Sequence, residues 1–219
     1  VNEKKKILIV EDHPIFRWGL RELINQETDM MVCAEAETVS RAWKAIGETG
    51  PDLIIADITL KDSDGIDLVH QVMAYDRHLP VLILSMHDEL LYAERAIRAG
   101  ARGYIMKQEA MESVVTAVRH VLAGRIYLNE NVKEHILIHL ADRPRYSDQD
   151  VSELLSEREL EVFRLIGRGF TTREIAVRLH LSIKTIGTYR ERIKEKLRLK
   201  HANELVRCAV QWDKTGRLS

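Results

Sequence analysis

Lys5-Lys6-Ile7-Leu8-Ile9-Val10-Glu11-Asp12 is an apolar run of four that ends in two adjacent carboxylates. Such a run fits a strand buried on both faces, as the inner strands of a parallel sheet are. Carboxylates at its carboxyl end lie where open α/β sheets place their ligands. Two later runs end in matching chemistry. Leu53-Ile54-Ile55-Ala56 leads to Asp57, and Gly103-Tyr104-Ile105-Met106 leads to Lys107.

Working outward, strand signals fall at Ile7–Glu11, Met31–Ala36, Leu53–Asp57, Val81–Ser85 and Gly103–Met106. Helical patterns lie near 14–27, 39–48, 65–75, 88–99 and 109–123, with Gly50-Pro51, Leu79-Pro80 and Gly100 at the joins. Five βα units in succession predict a five-stranded, parallel, doubly wound α/β domain over residues 4–123. Right-handed crossovers put the carboxyl ends of strands one, three, four and five on one edge. Residues 124–152 read as a linker with a short helix near 130–141 capped by Asn129, then the polar run Arg143–Asp150.

Residues 153–213 read as an all-α, four-helix domain. Ser156 and Glu159 form a capping box, Thr172 caps a second helix, and His180-Leu181-Ser182 makes a short turn. Ser182 caps a third helix to about Leu197, and a fourth runs from about Ala202 to Trp212. Helix, short turn and capped helix form the helix-turn-helix pattern.

Composition narrows the partners. The chain has 219 residues and a net charge of −1. Residues 1–123 carry 14 Lys and Arg against 20 Asp and Glu, a net of −6, whereas residues 151–219 carry 15 against 9, a net of +6. The basic half points to nucleic acid. No apolar run approaches the ~20 residues of a membrane span. The start, Val-Asn-Glu-Lys, has no signal-peptide pattern. Lacking Met, it fits a processed or engineered terminus. Cys33 and Cys208 lie far apart in apolar settings, which predicts two buried thiols, no disulfide and a reducing cytoplasm.

Glu11, Asp12 and Asp57 would repel one another at one sheet edge, and a hard divalent cation such as Mg2+ relieves that repulsion. A carboxylate can accept a phosphoryl group, so Asp57 is the candidate nucleophile. Lys107 can neutralise charge on phosphoryl oxygens, and Ser85 can donate to one of them. Met86 and His87, just past Ser85, are placed to tune water access; a solvated loop residue is the plainer reading of His87. On the third helix, Ile186, Ile193 and Leu197 share one face, flanked by Tyr189 and Arg190. Lys184, Gly187, Thr188, Glu191, Arg192 and Glu195 lie opposite, on the face free to enter a major groove.

These residues resemble two families. Glu11-Asp12, Asp57, Ser85, Tyr104 and Lys107 are similar to the receiver domain of bacterial two-component response regulators, over residues 4–123. The resemblance implies that Glu11 and Asp12 bind Mg2+ with the Thr59 backbone carbonyl and Asp57, and that Asp57 is phosphorylated. It also implies that Ser85 and Tyr104 form a switch pair moving inward on phosphorylation. Thr59-Leu60 stands where many receivers have Met-Pro, the loop Lys61-Asp62-Ser63-Asp64-Gly65 is acidic, and Gln108 stands where Asp is frequent.

Leu155 to Glu159, Glu174-Ile175-Ala176, Leu181-Ser182, Lys184-Thr185-Ile186, Tyr189 and Lys196-Leu197 resemble the NarL/FixJ (LuxR-type) DNA-binding domain. It implies DNA contacts from Lys184, Thr185, Thr188, Tyr189, Arg190, Arg192 and Lys196. Gly187 stands where Lys is common, either for close DNA approach or as a tolerated glycine, and Glu191 offers a cytosine acceptor or, preferably, a surface salt bridge. The expected whole is a cytoplasmic, phosphorylation-controlled transcriptional regulator. Its expected partners are a sensor histidine kinase, double-stranded DNA with an inverted repeat, a second copy of the chain on phosphorylation, and RNA polymerase. It is expected not to be an enzyme beyond its own phosphorylation and dephosphorylation. The rival readings are a constitutive DNA-binding regulator with an inactive receiver, a haloacid dehalogenase-type phosphatase, which wants Asp where Thr59 stands, and a flavodoxin-like flavoprotein.

Overall fold

The computed structural model describes residues 3–60, 64–86, 89–141 and 151–215. Two compact units divide near residue 142. The first contains β1 (Lys5–Val10), α1 (Pro14–Asn25), β2 (Met30–Ala36), α2 (Val39–Thr49), β3 (Leu53–Asp57), α3 (Gly65–Tyr75), β4 (Val81–Ser85), α4 (Glu89–Ala99), β5 (Gly103–Met106), α5 (Lys107–Leu122) and α6 (Glu130–Ala141). The sheet is parallel in the order β2-β1-β3-β4-β5. The inner strands β1, β3 and β4 are apolar over Ile7–Val10, Leu53–Ala56 and Val81–Leu84 because helices cover both faces. One core gathers Ile7, Ile9, Leu53, Ile55, Leu82 and Leu84 against Leu20, Ile24, Val114 and Val118.

Local chemistry sets the joins. Thr38 caps α2 and Asp64 caps α3 through their side-chain oxygens. Gly50 ends α2 in the left-handed conformation. The register between β1 and β2 slips after Ile7, where Cys33 is the extra residue and its Sγ lies 3.4 Å from the Ile7 carbonyl. Both cysteines are free, but half-buried rather than buried as expected.

The segment after α5 returns to the sheet. Tyr127 bridges to Gly103 of β5, its N–H donating to the Arg102 carbonyl and its own carbonyl accepting the Tyr104 N–H, each at 3.0 Å. Asn129 then caps α6, accepting the Val132 N–H at 2.9 Å. This helix packs on α4 and buries Val132, while Leu137 stays exposed. It therefore belongs to the body of the first unit, where the sequence suggested a linker element.

The second unit contains α7 (Val151–Leu154), α8 (Glu157–Gly167), α9 (Thr172–Arg178), α10 (Ile183–Lys196) and α11 (Ala202–Thr215). Its core joins Leu160, Phe163 and Ile166 to Ile175, Ile186, Ile193, Leu205, Ala209 and Trp212. Three details differ from expectation. The cap of α9 is Thr171, in a second capping box with Glu174, so Thr172 is the first helical residue. The short α7 buries Val151 just before the expected boundary, and α11 runs past Trp212 to Thr215. The polar run Arg143–Asp150, His87 and Lys61–Ser63 lie outside the described residues. Among the described residues, no helix is long and apolar enough to cross a membrane.

Candidate functional site

Strand pairing alone places the acidic groups. Val10 lies opposite Ala56, so the next residues, Glu11 and Asp57, emerge side by side at the carboxyl edge. Asp57 lies opposite Leu84, and Ser85 opposite Met106, so Ser85 and Lys107 arrive at the same edge. The Lys107 ammonium sits 2.6 Å from Glu11 Oε2 and 2.8 Å from Asp57 Oδ2. Glu11, Asp12, Asp57, Ser85 and Lys107 are all buried. Buried charges need partners or neutralisation, and the one ammonium reaches two of the three buried carboxylates, Glu11 and Asp57. Burial, then the neighbouring Glu11 charge, pushes the Asp57 carboxyl up to about 6, against the pull of Lys107 and the Thr59 N–H.

The excess negative charge suits a cation. Ligand atoms of Glu11, Asp12, His13 and Asp57 lie within 4.8 Å of one another. Glu11 Oε2 and Asp12 Oδ1 are buried and accept no aligned hydrogen bond, although each has a cationic or imidazole nitrogen within ion-pair reach. The donor set, dominated by carboxylate oxygens, fits a hard divalent cation.

Four residues that shape this site escaped the sequence reading. The His13 Nδ1 lies 2.9 Å from both Glu11 Oε1 and Asp12 Oδ1. Arg17 donates to the Glu11 carbonyl at 2.5 Å and pairs with Glu35 of β2 and Glu37 just past it, pinning the turn after β1. Phe16 lies under Lys107, the ammonium 4.9 Å from its ring centre. Gly65 donates to the Ile58 carbonyl at 2.8 Å, and a Cβ there would overlap the Asp57 carbonyl. The visible signal for the first three was their spacing in Glu11-Asp12-His13-Pro14-Ile15-Phe16-Arg17, one turn from the carboxylates.

Ser85 and Tyr104 are both buried, so the ring of Tyr104 already occupies an inward position. Thr59 donates its N–H to Asp57 Oδ1 at 3.1 Å. Met86 is exposed beyond Ser85.

The second unit builds a different surface. Ser182 accepts the Thr185 N–H at 3.0 Å, fixing the start of α10. Ile186 and Ile193 bury one face. Lys184, Thr188, Glu191, Arg192 and Glu195 lie exposed on the other, and Lys184, Thr185, Thr188, Tyr189 and Arg192 line a hollow of about 270 Å3 with Ser182. Arg190 is half-buried beside them. A Cβ at Gly187 would meet nothing within 4 Å, so no internal packing requires glycine there. Glu191 pairs with Lys194 at 2.8 Å, the salt bridge preferred from sequence. Lys196, expected to contact DNA, makes an ion pair within its own unit. Its ammonium is 2.5 Å from the buried Glu159 carboxylate, tying α10 to the capping box of α8. Burial raises the Glu159 carboxyl, but Lys196 and the Ser156 N–H outweigh it and hold it below the ordinary 4.5. Lys196 keeps 43% of its side chain exposed beside this ion pair, and Lys184, Thr188 and Arg192 are exposed as well.

The fold and the strand-end cluster define a phosphoacceptor-type receiver joined to a helix-turn-helix unit. The receiver-domain profile of response regulators matches residues 7–119, and that of the bacterial regulatory proteins of the luxR family matches residues 153–209. The chain belongs to the LuxR family of two-component response regulators, DNA-binding transcriptional regulators controlled through a receiver domain. Among its relatives is the oxygen regulatory protein NreC of Staphylococcus haemolyticus, 31% identical over 94% of this chain and 97% of that protein. A LuxR-family response regulator from an Aurantimonas species is 32% identical, with a TM-score of 0.59, over 64% of this chain and all of its own. The RcsB response regulator of Salmonella typhimurium, solved in a study of conformational dynamism for DNA interaction, is 26% identical. Its TM-score is 0.57, over 94% of this chain and 98% of its own.

Proposed function

We propose that Asp57 is the phosphoacceptor of this regulator, and that a sensor histidine kinase supplies the phosphoryl group. The observation that carries this reading is the buried Lys107 ammonium held between Glu11 and Asp57 at the carboxyl edge of the sheet. With its carboxyl titrating at about 6, Asp57 is mostly ionised at neutral pH and so nucleophilic. A carboxylate oxygen attacks phosphorus, the phosphorus–nitrogen bond of the phosphohistidine breaks, and an acyl phosphate forms. Lys107, already 2.8 Å from one Asp57 oxygen, stays within reach of the phosphoryl oxygens. Glu11 and Asp12, with the Thr59 carbonyl and Asp57, would hold Mg2+, which when bound offsets negative charge on the carboxylates and the phosphoryl oxygens. Ser85 and Tyr104 then sense the acyl phosphate as a switch pair.

In the second unit, α10 enters the major groove through Lys184, Thr188 and Arg192, with Thr185, Tyr189, Arg190 and Lys196 beside them. Phosphorylation favours a homodimer that reads an inverted repeat, with RNA polymerase as a further partner, in the cytoplasm. The chain performs no turnover beyond gaining and losing its own phosphoryl group.

The test incubates wild type and Asp57→Ala with acetyl phosphate and Mg2+, following intact mass and oligomeric state together. Wild type should gain one phosphoryl group and dimerise, and the variant should do neither. Equal labelling of both would overturn the assignment of Asp57. DNA affinity that is the same for both under phosphodonor would favour constitutive binding.

A further inference from the structure

At the edge of the sheet opposite Asp57, the amino ends of the strands border a cavity of about 290 Å3. Its charged lining is Lys5 at the start of β1, Asp52 before β3, Arg102 before β5, and Arg77 and His78 just past α3. Met73, Leu79 and Val121 add apolar surface to the same cavity.

Charge and pairing set this place apart. The first half of the chain is acidic, at −6, yet here Lys5, Arg77 and Arg102 stand against Asp52. Asp52 is committed to β1: one oxygen accepts from the Lys5 ammonium and the other from the Lys6 N–H, each at 2.8 Å. Asp76, next to Arg77, accepts the His78 N–H at 2.8 Å. Elsewhere in this unit Arg17, Arg21, Arg41, Arg98 and Arg119 each pair with a carboxylate. Among the described residues Arg77 and Arg102 pair with none, and both line the cavity. Arg125, one residue past the lining at Gly124, is likewise without a carboxylate. The carboxyl ends of α3 and α5 favour positive charge nearby, which accounts for the sign of these residues but not for the cavity they line.

We infer that this cavity binds a small phosphomonoester of mononucleotide size, with Arg77 and Arg102 holding the phosphate and Met73, Leu79 and Val121 covering its less polar body. A guanidinium presents a planar fork of N–H donors that matches two phosphate oxygens. Two such forks and the Lys5 ammonium suit a dianion better than a lone carboxylate. The volume is at the small end of ligand pockets, a space for a monomer rather than for a duplex. The cavity shares no residue with the cluster around Asp57, so it holds whether or not Asp57 is the phosphoacceptor.

The experiment records amide NMR spectra of the full chain, without Mg2+, during titration with AMP, inorganic phosphate and adenosine. Wild type should bind AMP with a Kd of ~1 mM or tighter, with saturable shifts at the amides of Arg77 to Leu79, Arg102 and Gly124. Adenosine, lacking the charge, and phosphate, lacking the body, should each bind ~10-fold more weakly. Arg77→Ala and Arg102→Ala should each weaken AMP binding ~10-fold with Tm nearly unchanged, and Arg102→Lys should recover only part of the loss. If neither AMP nor phosphate gives saturable shifts at these amides, the site is overturned. Equal AMP affinity in the two alanine variants overturns the role of the guanidinium groups. Phosphate binding as tightly as AMP overturns the mononucleotide class and leaves a bare anion site. Displacement of AMP by duplex DNA gives the cavity to the DNA backbone and overturns the small-molecule reading.

Discussion

Gly65 shows how little room the residue scale leaves around Asp57. Its backbone passes so close to the Asp57 carbonyl that only hydrogen fits. Gly65→Ala should push the loop away from β3, cost about 1–3 kcal/mol of stability and slow phosphorylation by acetyl phosphate; unfolding curves and intact mass report the two effects separately. Two other residues sit in a backbone region that favours glycine. His180 follows α9 with φ of 54° and Arg198 follows α10 with φ of 55°, where Gly50 and Gly169 do the same task after α2 and α8. His180→Gly should therefore raise stability by about 1 kcal/mol, visible as a higher Tm of the second unit. Asp57 carries a cost of its own. Its carboxyl titrates at about 6 in the fold against 3.8 when unperturbed, so its contribution is favourable below 3.8 and is lost as pH rises through 6. Asp57→Asn should thus stabilise the receiver at pH 7.5, by an amount on the order of 2–3 kcal/mol, with the gain vanishing below about pH 4. Denaturant titrations at both pH values decide it, and Mg2+ should narrow the difference. The three carboxylates and Lys107 were legible because each ends a strand-like run. His13, Arg17 and Phe16 were not, because their value depends on where a turn points a side chain and on β2 and the turn after it supplying Glu35 and Glu37.

Among the elements, α10 divides its cations between two tasks. Lys184 and Arg192 are exposed beside the hollow at its start, whereas Lys196 is bound to Glu159. Lys184→Ala and Arg192→Ala should each weaken DNA binding and lower the salt slope by about 1 while leaving Tm nearly unchanged. Lys196→Ala should lower the Tm of the second unit, because it strands a buried carboxylate. The Glu159 carboxyl is held below its ordinary 4.5, so the stability it adds is complete above that value and falls away as pH drops through the folded value. Acid unfolding of the second unit should accordingly move to higher pH in Lys196→Ala, a shift that circular dichroism can follow. Sequence periodicity could find the two faces of α10, but not the tie to Glu159, which lies 37 residues earlier and meets Lys196 only through helix packing. It failed in a similar way at α6. Val132 is a buried anchor and Leu137 an exposed neighbour, a division between two equally apolar residues that only α4 packing beside them decides.

On the scale of the whole molecule, the charge division between an acidic first half and a basic second half was readable from composition, and so was the succession of five βα units followed by a helix-turn-helix. What composition could not convey is where the first unit ends. Tyr127 lies after α5, beyond the last predicted helix of the α/β domain, yet its backbone takes up the Tyr104 N–H and donates to the Arg102 carbonyl. A chain cut after Leu122 would leave those groups bare on the outermost strand. Bare strand edges are templates onto which another copy can add its own strand. Such a fragment should self-associate in sedimentation and light-scattering measurements, whereas one that ends at Asp142 should not. The few residues that lead out of the sheet thus also keep it from recruiting its neighbours.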